Sequence, residues 1–101
     1  MKALTALALA ILMAMSTTAL AEEEKASCEQ IASIAKTIMT SRQGGVSMVS
    51  VMGVARDSEL LQKMTVDAYE QGRYFSKEIQ ERQIQNFHDK WYMWCFKVDA
   101  Q

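Results

Sequence analysis

The chain has 101 residues, with 11 Lys and Arg against 12 Asp and Glu, one His, no Pro and two Cys, which leaves room for one small domain and little else. A formal charge of -1 and a pI near 5.8 give no general attraction for phosphate backbones, so nucleic acid is not an expected partner. Two cysteines also exclude a four-thiolate zinc site.

Residues 1–21 read as an export signal. Lys2 supplies the positive start, residues 3–15 are apolar apart from Thr5, and Ala19-Leu20-Ala21 is the small-x-small pattern that signal peptidase accepts. The apolar run of 13 residues is shorter than the roughly 20 needed to span a bilayer. Cleavage after Ala21 is therefore expected, and no stable membrane anchor remains. The alternative keeps residues 1–21 as a weak anchor that later slips out of the membrane, as some phage lysis regulators do.

Cleavage removes 21 residues and one cation, Lys2, leaving 80 residues with 10 cations against 12 acids and a net charge of -2. A domain of that size buries only about 60–65% of its unfolded surface and often needs a covalent staple. An exported chain matures in an oxidising compartment, so Cys28 and Cys95 are expected to form a disulfide rather than a metal site or a nucleophile. The bond closes a loop over a separation of 67 residues, for which chain entropy gives about 4 kcal/mol. A reactive thiol would need a nearby cysteine or a basic neighbour, and Cys95 lies instead within Trp91-Tyr92-Met93-Trp94-Cys95-Phe96. An intermolecular disulfide dimer is the other possible pairing.

Residues 22–26 form an acidic leader without apolar partners, expected to be frayed. Ser27 followed by Gln30 reads as a capping box that opens a helix. On that helix Cys28, Ile31, Ala32, Ile34, Ala35, Ile38 and Met39 share one face, and Gly44-Gly45 end it. Residues 46–55 are ambiguous, since the valines favour a strand while Ser47, Ser50 and Gly53 recur every third residue. A short helix is preferred because no second strand exists to pair with. Asp57 or Ser58 then caps a third helix carrying Leu60, Leu61, Met64, Ala68 and Tyr69, which Gly72 terminates. Ser76 with Glu78 opens the last helix, running to about Lys97, with Ile84, Phe87, Trp91, Trp94, Cys95 and Val98 on one face.

The expected fold is all-α, a small bundle of three to four helices spanning residues 27–98, with the first and last helices antiparallel and joined by the disulfide. His88 is the only imidazole and reads as a boundary residue near Trp91 and Tyr92 rather than a ligand or general base. No catalytic constellation, phosphate loop, cofactor site or metal site is discernible, so an enzyme is not expected.

Two features fit less easily. Arg42 falls inside the apolar arc of the first helix. It either snorkels outward and donates to carbonyls at the helix end, or forms with Gln43, Gly44 and Gly45 a recognition corner for an anionic group of a partner. Residues 91–96 are six consecutive aromatic or apolar side chains, and Tyr92, Met93 and Phe96 lie off the core stripe. The preferred expectation is that the loop carrying Arg73, Tyr74 and Phe75 covers them, and otherwise they form an exposed protein-binding patch. The candidate interaction residues are thus Arg42, Gln43, Tyr74, Tyr92 and Phe96.

The pattern Cys28-Glu29-x-Ile31, Ala35, Ile38-Met39, Arg42-Gln43-x-Gly45, Ala68-Tyr69-Glu70 and a distant Cys95 resembles a family of small exported proteins of bacteria and their prophages. The resemblance implies a helical one-disulfide fold and no catalysis. A thinner likeness, through Cys28, Glu29 and Cys95 alone, is to the periplasmic acid-stress chaperones. The functional expectation is a periplasmic or secreted, non-enzymatic module that binds a protein and is a monomer or weak homodimer. The alternatives are a stress chaperone and a prophage-encoded regulator of lysis or superinfection.

Overall fold

In the computed structural model, which describes residues 26–99, the chain forms four helices: α1 (Cys28–Gln43), α2 (Met48–Val54), α3 (Glu59–Glu70) and α4 (Lys77–Asp99). No strand occurs among the described residues. Residues 1–21, expected to be an export signal, and the expected leader residues 22–25 lie outside them.

Hydroxyl caps set three of the four starts. The Ser27 hydroxyl accepts from the Gln30 amide at 3.2 Å while the Gln30 side chain accepts from the Ser27 amide at 2.8 Å, so two donors that a helix start leaves orphaned are paired reciprocally. Ser47 caps α2 and Ser58, not Asp57, caps α3. At the far end of α1 the Gly45 φ of 86° is the left-handed turn that glycine adopts without a Cβ penalty. The site is tight as well, because a Cβ on Gly45 would lie 2.7 Å from a nitrogen of Arg73. The end of α3 differs from expectation. The helix stops at Glu70, and Gln71 turns extended with ψ 151°, so the break precedes Gly72.

The core is built on α1. Its Ile31, Ala35, Ile38 and Met39 meet Phe87, Trp91 and Cys95 of α4 on one side and Met64 and Ala68 of α3 on the other. The fully buried alanines let neighbouring helices approach closely, while Met39 and Met64 fill the irregular space between them. The Cys28–Cys95 disulfide is present, with Cα atoms 5.5 Å apart, and fixes α1 and α4 as antiparallel neighbours.

Three residues expected on core faces are not enclosed. Trp94 and Val98 are exposed; Val98 lies beyond Cys95, which pairs with Cys28, the first residue of α1, so the last turn of α4 overhangs the end of α1. Trp94 rests edge-on against Trp91, with ring centroids 5.2 Å apart. Ile34 is also exposed, because it faces an open space between α1, α2 and α3. The ambiguous residues 46–55 are helical over Met48–Val54, yet none of those seven is buried.

Candidate interaction site

Arg42 and Gln43 sit where the end of α1 meets the connection from α3 to α4. The Arg42 guanidinium donates through Nε and Nη2 to the carbonyl of Gln71, at 3.1 and 2.9 Å, and lies over the Tyr69 ring with its carbon 5.1 Å from the centroid. Gln43 is 2% exposed. Its Nε2 donates to the Gly72 carbonyl at 2.8 Å, its Oε1 accepts from the Tyr74 amide at 2.9 Å, and its own carbonyl accepts from Arg73 Nε at 3.2 Å. These bonds form a polar clamp that holds residues 71–74 against the end of α1. The bidentate donor that could have met an anionic partner is directed at a backbone carbonyl of the same chain.

Tyr74 is held within this clamp. Its ring lies against Gly72, where a Cβ would approach to 3.3 Å, and its carbonyl accepts from Gln80 Nε2. Tyr69 extends the arrangement by donating its hydroxyl to the Val46 carbonyl. Burial pushes the Tyr69 phenol above its ordinary pKa, and the charge of Arg42 opposes that shift.

Tyr92 and Phe96 lie at the other end of the molecule. They are stacked, with centroids 6.5 Å apart and planes 19° from parallel, and Phe96 is 62% exposed. Met93, Trp94 and Val98 add exposed apolar surface around the same two turns. The loop expected to cover them does not. Residues 73–75 precede α4 and so lie at its opposite end, about 30 Å from Phe96 at 1.5 Å per helical residue, and Phe75 itself is 93% exposed. The five candidate residues therefore fall into two groups, Arg42, Gln43 and Tyr74 in the clamp and Tyr92 with Phe96 at the disulfide end.

His88 is half-buried, and its Nδ1 meets Asp89 Oδ1 at 2.9 Å while Gln85 Nε2 donates to the same oxygen at 3.1 Å. Asp99 Oδ2 lies 3.4 Å from the Cys28 sulfur and 3.9 Å from that of Cys95. Neither sulfur carries a proton to donate while they are bonded to each other, and neither is the thiolate that a metal ion would require. Among the described residues no helix is long and apolar enough to cross a membrane.

Two features were not anticipated from the sequence. Asp67 joins α3 to α4, accepting from Trp91 Nε1 at 3.0 Å and pairing with Lys90 Nζ at 2.8 Å. An apolar groove of about 440 Å³ opens between α1, α2 and α3. Its sequence signal is the uncharged run between Arg42 and Arg56. In comparisons with protein-family models, curated proteins and solved structures, nothing matched the chain. The likeness to small exported proteins therefore rests on the residues that carry it.

Proposed function

We propose that this chain is an exported, non-enzymatic helical module that acts by binding another protein through its disulfide end. The carrying observation is the stacked, exposed pair Tyr92 and Phe96, beside a covalent bond that holds the backbone beneath them. Aromatic side chains on a rigid element give large contact area for little lost conformational freedom, the property of residues that dominate protein interfaces. A disulfide in a domain this small suits an oxidising compartment and therefore the periplasm or the exterior. The export reading of residues 1–21 and the likeness to small exported proteins point the same way.

The test is site-specific photocrosslinking in the exported fraction, with the reactive group placed at Phe96, at Tyr92 and, as a control on the solvent face of α1, at Lys36. The proposal expects the same protein adduct from the first two positions and none from Lys36. Equal labelling from all three, or no adduct at all, contradicts it.

A second reading, a chaperone active under acid stress, is favoured by the Asp67 joint, where a single carboxylate holds both Lys90 and Trp91 of α4 against α3. It expects apolar surface and dye binding to increase in acid. Unchanged dye binding and unchanged client aggregation between neutral and acid pH remove it.

A further inference from the structure

The disulfide has one charged neighbour that neither the packing of the helices nor the protein-binding proposal uses. Asp99 is the last residue of α4, one helical turn beyond Cys95, so the two side chains share a face. Its Oδ2 lies 3.4 Å from the Cys28 sulfur and 3.9 Å from the Cys95 sulfur. Bonded sulfurs have no proton to give, so the contact is not a hydrogen bond and does not hold the carboxylate. Among the described residues no cation pairs with Asp99 either. A carboxylate at the end of a helix also works against the helix dipole. Asp99 therefore adds little to the joint as a fastening.

Its charge bears instead on the chemistry that would undo the joint. A dissolved thiol opens a disulfide as its thiolate. A new S–S bond forms to one protein sulfur, the old S–S bond breaks, and the electron pair leaves on the other sulfur as a thiolate. A second thiolate then takes the mixed disulfide apart, leaving two protein thiols and the oxidised reductant. Cys28 is half-buried and Cys95 is 3% exposed, so attack comes at Cys28 and the pair leaves on Cys95. During that transfer the negative charge is shared along the three sulfurs, two of which lie beside the Asp99 carboxylate. Burial adds to the penalty, because an enclosed thiolate is a poor leaving group.

We infer that Asp99 is an electrostatic guard of the Cys28–Cys95 bond, slowing its exchange with thiols in the order of their negative charge. Anionic thiols such as glutathione, which carries two carboxylates, are held off most. Thiols that carry a cation are held off least.

The test is the second-order rate at which the oxidised protein is opened by three reductants at one pH, followed by acid quenching, alkylation and mass spectrometry. The thiolate form of glutathione is doubly negative, that of 2-mercaptoethanol singly negative, and in cysteamine the thiolate and ammonium cancel. Each result is read as the ratio of Asp99→Asn to wild type, which removes the intrinsic reactivity of the reductant. The ratio should be about fivefold for 2-mercaptoethanol, the effect of one like charge near 4 Å in water, larger for glutathione and smaller for cysteamine. An ionic strength of about 1 M, where the Debye length falls to about 3 Å, should narrow the spread. Glu78→Gln, which removes the same charge in the first turn of α4, should leave all three rates unchanged.

Equal ratios for the three reductants would assign Asp99 a purely structural part, through a looser last turn, and overturn the inference. Ratios near unity throughout, or an effect of Glu78→Gln as large as that of Asp99→Asn, would overturn it too. Rates that stop rising with reductant concentration would make opening of the fold the limiting step and leave the charge no part in it.

Discussion

At one end α1 is fastened to α4 by sulfur, at the other the Gln43 and Arg42 clamp fastens it to the connection that leads into α4, and the surroundings of the two fastenings are opposite. Gln43 is almost entirely enclosed, because hydrogen bonds to a backbone contribute most when water cannot compete for the same groups. The disulfide needs no such enclosure. It stabilises largely by restricting the unfolded chain, so Tyr92, Phe96 and Val98 beside it stay uncovered without loosening the joint. A covalent fastening thus frees the adjacent surface for contact, whereas the polar one occupies the residues that form it.

The largest expected effect breaks the covalent end. The Cys28→Ala/Cys95→Ala double variant should lose about 4 kcal/mol of stability, roughly 20 °C in Tm for a domain of this size, read by thermal denaturation of oxidised wild type against variant. Breaking the polar end should cost less. Gln43→Ala leaves the Tyr74 amide and the Gly72 carbonyl without their partner, a loss of about 2–3 kcal/mol. Amide hydrogen exchange should then show faster exchange at Tyr74, with protection near Cys95 retained.

Between the ends, Asp67→Asn removes the Lys90 ion pair but leaves an oxygen for Trp91 Nε1, and should cost about 1 kcal/mol in urea denaturation. The smallest effect sharpens the clamp end alone. Tyr69 has a raised pKa in the fold, so the stability it adds is full below its unfolded value of about 10 and is lost as pH climbs through the folded value. Tyr69→Phe should flatten that alkaline loss, measured as Tm against pH.

Much of the fold was legible in local signals. Ser27 with Gln30, Ser58 before an apolar run, and the glycine pair at residues 44–45 act within one helical turn, so they mark helix ends in the sequence itself. The sulfur pair was legible because two cysteines permit a single intramolecular bridge. What was not legible depends on partners far along the chain. Gln43 bonds to residues 29 and 31 positions away, and nothing in its own neighbourhood distinguishes a clamp from a recognition corner. The mistaken cover over residues 92–96 came from weighing apolar neighbours without the direction of α4, whose start and finish lie at opposite ends of the molecule. The overhang that exposes Val98 likewise follows from the register that Cys28 and Cys95 impose, not from helical periodicity.

The account rests on the joint between α1 and α4, and peptide mapping of the protein without reduction tests it most directly. The prediction is a single linked species containing Cys28 and Cys95 of one chain, which separates into two peptides on reduction. Two alkylatable thiols, or linkage between two chains, would contradict both the fastening and the surface it leaves open.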